Sequence, residues 1–201
     1  MKQLQEKLLA LLLMALLTGT GAYAQEASDK QKTPDYRFAV RTNVLYDATT
    51  TFNLGAEVAF DKHLSLDISG NYNPWTLLDD KSIKHWLVQP ELRYWLHERF
   101  NGHFLGVHAL YADYDVAGKT LLNVMKSDYA YEGNAYGGGI SYGYQLYLSP
   151  HWNIEFTAGV GYVRFKYDKT PFPAGQEAAG SYRNDYFGPT KLGISIMYII
   201  K

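Results

Sequence analysis

Apolar and polar residues alternate along most of the chain after residue 36, and this is the period of a β-strand. Around the middle of the chain, Tyr136 and Ile140 fall on one face, while Ser141 and Gln145 fall on the other. Eight segments share the pattern and each predicts a strand. The predicted strands are 37–47, 52–60, 64–72, 86–96, 103–113, 136–146, 154–162 and 187–200.

The connections between these segments differ in length. The second, fourth and sixth are tight turns, whereas the third, fifth and seventh (73–84, 114–132 and 168–185) are long and polar. Short turns on one rim and long loops on the other are typical of outer-membrane barrels. The sequence therefore predicts an all-β fold, an eight-stranded antiparallel up-and-down transmembrane β-barrel over residues 37–201. Both termini of this barrel are expected in the periplasm.

Charged residues fall almost entirely on the polar face of the predicted strands. An eight-stranded barrel is just wide enough for its own side chains, and buried charges need partners. We therefore expect an ion-pair network that fills the interior and leaves no diffusion pore. The residues expected in this network are Arg41, Glu57, Asp67, Glu91, Arg93, Glu155 and Lys191.

Aromatic residues cluster at both ends of the strands on the apolar face. Two aromatic girdles around an apolar band are typical of membrane barrels. The residues predicted for the girdles are Tyr46, Tyr72, Trp86, Tyr94, Tyr111, Tyr136, Trp152, Tyr162 and Tyr198.

Five glycines are predicted on the inner face of two adjacent strands, where they would make one wall thin. They are Gly137, Gly139, Gly143, Gly159 and Gly161. Two interpretations stay open. Either bulky neighbours such as Phe165, Tyr147 or long Arg and Glu side chains pack over the wall, or the wall leaves a slot for a ligand or a partner segment.

Residues 1–24 have the pattern of a cleaved signal peptide. Lys2 and Lys7 precede an apolar run, and Ala22-Tyr23-Ala24 forms a cleavage site before Gln25. The polar stretch 25–36 is interpreted as a flexible periplasmic lead. The chain has no Cys and a net charge of −1, which rules out disulfides and argues against nucleic acid as a partner.

The sequence offers little catalytic or metal-binding chemistry. The six His residues lack metal-site spacing, and Asp113-x-Asp115-x-x-Gly118 lacks the closing Glu of a calcium loop. Ser82 and His85 follow Asp79 and Asp80 near the loop rim, a weak hydrolase pattern. We therefore assign no catalytic residue, metal or cofactor and expect a protein that is not an enzyme. Whether a loop binds calcium stays open.

Several stretches resemble a family of Bacteroidota outer-membrane proteins, the domain of unknown function 3575. The resemblance rests on "RTNVLYDATTTFNLGAEV", "ELRYWL", "GHFLGVHALYADYD", "GGGISYGYQLYLSPHWNIEFTAGVGYVR" and "FGPTKLGISIMYI". It implies a small outer-membrane barrel of unassigned activity. Members often lie beside genes for fimbrial proteins, which implies anchoring or surface assembly.

The expected function is a structural, anchoring or assembly role in the outer membrane. The expected partners are membrane lipid, lipopolysaccharide and fimbrial or other cell-envelope proteins. Two alternatives remain: an outer-membrane enzyme acting on lipid or lipopolysaccharide, and a periplasmic lipocalin-like ligand binder.

Overall fold

A computed structural model describes residues 36–77, 81–117, 129–171 and 180–200. The sheet lies in a unit that spans Asp35–Lys201. Helix α1 follows the first strand, at Val44–Ala48. The strands are β1 (Phe38–Asn43), β2 (Phe52–Ala59), β3 (Leu64–Asn73), β4 (Thr76–Leu77), β5 (Lys81–Trp95), β6 (Gly102–Ala117), β7 (Tyr129–Ser149), β8 (Trp152–Pro171) and β9 (Ser181–Ile200).

Eight of these strands form a closed ring. Each pairs antiparallel with its neighbours, β3 pairs directly with β5, and β1 pairs with β9 to close the sheet. The two-residue strand β4 pairs only with the start of β5, beyond the end of β3. The predicted all-β ring of eight antiparallel strands is therefore confirmed. In the described ranges, no helix is long and apolar enough to cross a membrane.

Alternation along each strand separates two faces of the ring. In β3, Ser65, Asp67 and Ser69 are buried, whereas Ile68 and Tyr72 are exposed. Successive side chains of a strand point to opposite faces, so the polar set faces the interior and the apolar set faces outward. We call the end with the short turns the turn end and the opposite end the loop end.

The first predicted strand, 37–47, is wrong at its C-terminal end. β1 stops at Asn43, and Val44 and Tyr46 belong to α1 rather than to the barrel wall. The Asn43 side chain accepts a hydrogen bond from the Leu45 backbone N–H and so caps the helix. Asp47 in the first turn adds a favourable charge at that end.

Other predicted strands are too short at the loop end. β7, β8 and β9 contain 21, 20 and 20 residues, so they continue into segments that were predicted as loops. Residues 114–117, 129–132, 168–171 and 181–185 are strand. These stretches are polar, and their polarity predicts loops although the alternation continues.

A small apolar core closes the interior at the turn end. Trp95, Phe104 and Met197 are fully buried there, and Phe100 packs edge-on against the Trp95 ring. Phe100 has a φ of 60°, an unusual value for a non-glycine residue, which lets the turn fold this side chain inward. The charged part of the interior lies on the loop side of this core.

Candidate functional site in the charged interior

Arg93 is the centre of the buried charges. Its Nε donates to Glu91 Oε1 at 2.7 Å, and its Nη1 donates to Glu57 Oε2 at 2.7 Å and to Glu155 Oε2 at 2.8 Å. Its Nη2 lies 3.5 Å from Asp67 Oδ2. The planar guanidinium can serve several carboxylates at once because its five N–H donors point in fixed directions. One arginine on β5 thereby joins four strands.

Two further cations complete this cluster. Arg41 makes a two-pronged contact with Asp67, with Nε–Oδ1 at 2.9 Å and Nη2–Oδ2 at 2.5 Å. Lys191 Nζ donates to Glu91 Oε2 at 2.8 Å. Charge-assisted contacts of this kind are stronger than neutral hydrogen bonds. The structure thus brings together all seven charged residues that the sequence analysis selected.

Neutral side chains donate further hydrogen bonds to the carboxylates. Ser65 donates to Glu57, Ser141 donates to Glu91 at 2.8 Å, and Gln145 donates to Glu155 at 2.8 Å. Arg41 also donates to Ser195 at 3.2 Å. A buried ion pair is tolerable only when such additional hydrogen bonds offset its lost hydration. The cluster meets this requirement.

Two of the five inner-wall glycines make room for interior side chains. A Cβ atom at Gly143 would lie 2.2 Å from the Phe104 ring, and one at Gly159 would lie 3.1 Å from Lys191 Cβ and 3.2 Å from His108 Cε1. The wall is therefore covered there by Phe104, His108 and Lys191. Bulky neighbours thus cover these two positions, as one of the two interpretations had it, but they are not the Phe165 and Tyr147 named as examples.

The other three glycines lie where the inner faces of β7 and β8 come very close together, and we call this place the glycine crease. A Cβ atom at Gly137, Gly139 or Gly161 would lie 2.1, 2.2 or 2.3 Å from a carbonyl oxygen of the paired strand. Gly139 and Gly161 are themselves paired. The inner faces of the two strands come too close together for any side chain at these positions. These glycines permit bending of the sheet.

Most of the predicted girdle residues are exposed on the outer face. They are Tyr72, Trp86, Tyr94, Tyr111, Tyr136, Trp152, Tyr162 and Tyr198.

Tyr46 differs from the other predicted girdle residues because it lies on α1 and is half-buried. Burial raises the pKa of its phenol, and the Arg41 guanidinium opposes that rise. Tyr46 therefore stands near the charged interior and not in an outward ring.

Histidines at the turns have a repeated structural role. His63 Nδ1 contacts the Trp95 carbonyl oxygen at 2.9 Å, and His151 Nδ1 contacts the Ile199 carbonyl oxygen at 2.9 Å. The rings of His63 and His151 stack on those of Tyr94 and Tyr198. Each histidine thereby joins its turn to a neighbouring strand, His63 to β5 and His151 to β9.

The remaining candidates from the sequence are not brought into a site. Asp79 and Asp80 lie outside the described residues, as does the side chain of Ser82, and Asp113 and Asp115 lie within β6. Among residues whose positions are described, no group of three or more His, Cys, Asp or Glu could hold a metal ion.

Among the interior residues that sequence reasoning missed are Trp95, Phe104 and Thr190. Trp95 and Phe104 continue the inward phase of Arg93 and His108, so alternation alone could have identified them. Thr190 follows a proline within a strand, and proline in a strand is a signal of a bulge or an edge.

Comparison with known proteins gives one match. A family model described as "Protein of unknown function (DUF3575)" matches residues 9–200. None of the curated proteins matches the chain. None of the solved structures matches it.

Proposed function

The chain belongs to the DUF3575 family, and we propose that its barrel spans an outer membrane as a structural, anchoring or assembly component without a diffusion pore. In this arrangement the turn end faces the periplasm and the loop end faces the cell exterior. The partners in this proposal are membrane lipid, lipopolysaccharide and fimbrial or other cell-envelope proteins.

The observation that carries the proposal is the apolar outer face of the ring. Val107 is 64% exposed, Ile140 63% and Leu192 63%, and they lie on three different strands. Exposed apolar surface of this extent is unfavourable in water and is typical of proteins that contact lipid or another protein. A band of apolar side chains between aromatic residues is the pattern of membrane barrels.

The interior supports the same proposal. A lipocalin-like binder would need a polar exterior and an apolar cavity, whereas this ring has the opposite arrangement. The buried cluster around Arg93 and the apolar core around Trp95 fill the middle and the turn end of the interior. This filling favours a barrel through which solutes do not diffuse.

The loop end offers a surface for a partner. Arg164 and Asp185 form an exposed ion pair at 2.8 Å on the outer face of β8 and β9, beyond Tyr162. Arg183 and Lys166 are exposed nearby. Because charged rims steer partners and set specificity, we place the anchoring or assembly contact here.

Membrane location is tested by fractionation and by gel mobility. The full chain, expressed with its N-terminal segment, should remain in the outer-membrane fraction. It should also migrate differently when the sample is not boiled, because a closed barrel resists detergent. Arg93→Met is the variant for comparison, and it should lose the mobility difference between boiled and unboiled samples more readily than the wild type. Recovery of the wild-type chain in the soluble periplasmic fraction would overturn the proposal.

The partner role needs a separate experiment. A photo-crosslinking residue at position 183 should capture a cell-envelope protein in living cells, and the same residue at position 140 should capture none. Mass spectrometry would identify the adduct. Equal capture at both positions, or none at either, would contradict an assembly role and favour a stand-alone barrel.

A further inference from the structure

Three side chains from three strands meet near the loop side of the charged cluster. His108 on β6 lies between Thr190 on β9 and Glu91 on β5. The distance from His108 Nε2 to Thr190 Oγ1 is 2.9 Å, and that from His108 Nδ1 to Glu91 Oε2 is 3.7 Å. A hydroxyl, an imidazole and a carboxylate in this order are the components of a nucleophile and its base.

A β-bulge aims Thr190 toward His108. Gly159 pairs with Lys191 but Val160 pairs with Pro189, so Thr190 is an extra residue in β9. In a regular strand Thr190 would point outward, because its neighbour Lys191 points inward. Instead its hydroxyl contacts His108 and its carbonyl oxygen accepts from Gln89 Nε2 at 3.3 Å. Bulges often re-aim a side chain next to an active site.

The glycine crease gives the imidazole its position. His108 pairs with Gly139, and Gly139 pairs with Gly161, so no side chain from either glycine fills the space beside His108. A Cβ atom at Gly159 would lie 3.2 Å from His108 Cε1. The imidazole can therefore reach across the inner faces of β7 and β8 to β9.

His108 Nδ1 is a buried polar atom without a hydrogen-bond partner among the described residues. The Glu91 oxygen that it faces is held in place by Lys191 and Ser141, each at 2.8 Å. If Nε2 accepts the Thr190 hydroxyl proton, Nδ1 carries the ring proton and points it at the carboxylate. Such a carboxylate orients the imidazole and stabilises its protonated form.

We propose that Thr190, His108 and Glu91 form an acyl-transfer site for a carboxylic ester that enters from the loop end. Thr190 Oγ attacks the ester carbonyl carbon while its proton passes to His108 Nε2. The ester C–O bond then breaks, and the leaving alkoxide takes that proton to become an alcohol. Water repeats the sequence on the acyl-threonine, releasing a carboxylic acid and restoring both side chains.

Accessibility and electrostatics fit this assignment. Thr190 is half-buried, whereas His108 and Glu91 are buried, so the nucleophile is the exposed member of the three. The Gln89 amide nitrogen donates to the Thr190 carbonyl oxygen, and in the proposed site its second N–H would donate to the oxygen that becomes negative in the transition state. This activity goes beyond the structural role proposed above, and it can fail while that role stands.

The test uses the full chain folded in detergent, with p-nitrophenyl butyrate as the probe. The wild type should release nitrophenol and show a butyryl adduct on the peptide that contains Thr190. Thr190→Val and His108→Gln should each lower the rate by roughly 10²-fold or more. Thr190→Ser should keep the activity, because it keeps the hydroxyl.

The matched control is Thr157→Val. It removes a buried threonine hydroxyl that, unlike the Thr190 hydroxyl, has no partner among the described residues. It should leave the rate unchanged. The wild-type rate should also fall as the pH drops and His108 becomes protonated. No turnover above that of Thr190→Val, together with no adduct on wild type, would overturn the proposal. The proposal would also be overturned if Thr157→Val lowered the rate as much as Thr190→Val does.

Discussion

The parts of β8 and β9 near the turn end, here called the lower part, and near the loop end, the upper part, alternate with the same period. Their polarity is opposite. Near the turn end, Glu155 and Thr157 face inward and are buried, while Phe156 faces outward and is exposed. Toward the loop end, Tyr167 and Tyr182 lie on the inner face with stacked rings 5.8 Å apart. The outer face there carries Arg164, Lys166 and Asp185.

This inversion fits the proposed arrangement, in which the two parts of the barrel lie in different surroundings. The lower outer face suits lipid and the upper outer face suits water, so the change near Tyr136 and Tyr162 marks the boundary that we propose for the membrane. The lower ion pairs are buried and mutually bonded, whereas the upper pair of Arg164 and Asp185 is exposed. Stability should therefore depend on the lower part more than on the upper part.

Removal of the central cation should have the largest effect. Arg93→Met leaves Glu57, Glu91 and Glu155 without their shared partner in a buried site. Loss of one member of a buried ion pair costs about 3–5 kcal/mol. Urea unfolding of the chain in lipid vesicles would measure the change. A loss as small as that expected at an exposed pair would show that the lower cluster is not important for the fold.

An arginine on the lower outer face should have the next largest effect. Ile140→Arg places a charge at the proposed lipid mid-depth and should lower the unfolding free energy by about 2–4 kcal/mol. Asn134→Arg adds the same side chain to the same strand beyond Tyr136 and opposite Asp113. The unfolding free energy of Asn134→Arg should stay within about 0.5 kcal/mol of the wild-type value. Similar losses at both positions would contradict the boundary near Tyr136.

A methyl group in the crease should have a smaller effect. Gly139→Ala puts a Cβ atom 2.2 Å from the Val160 carbonyl oxygen, so the backbones must move apart. Overpacking of this kind costs about 1–3 kcal/mol. Gly70→Ala is the control, because its Cβ atom would meet nothing closer than the Leu87 carbonyl oxygen at 4.0 Å. The sharp bend would be refuted if thermal unfolding in detergent could not distinguish the two variants.

The upper ion pair should have the smallest effect. The hydrogen bond from Arg164 lowers the pKa of Asp185, but both side chains are accessible to water. Screening by solvent leaves exposed pairs with little net energy. Asp185→Asn should therefore leave the urea midpoint unchanged while altering capture of a partner at position 183. A shifted midpoint would place part of the fold's stability above the boundary.

Alternation and closure were enough to predict the charged cluster. Glu57 and Asp67 pair across adjacent strands, so the period of two places them together once the ring closes. Alternation alone does not show that polarity inverts beyond Tyr162, and the sequence therefore predicts loops where the upper strands continue. Asn43 and Asp47 carried helix signals that the neighbouring apolar residues obscured.

Thr190 could not be placed by the same reasoning. Its inward direction depends on one extra residue in β9, and a one-residue shift reverses every facing along a strand. The contact with His108 also depends on the bend between β7 and β8, which arises from glycines on both strands. Neither feature is visible in the pattern of one strand alone.

The account is tested most directly by labelling single cysteines on β7 in intact cells. The chain has no Cys of its own, so Ile140→Cys and Asn134→Cys each report one position. A membrane-impermeant maleimide should label Asn134→Cys and leave Ile140→Cys unlabelled, since the account places position 140 against lipid and position 134 in water. Equal labelling at the two positions would contradict the claim that the apolar face of the barrel lies in a membrane.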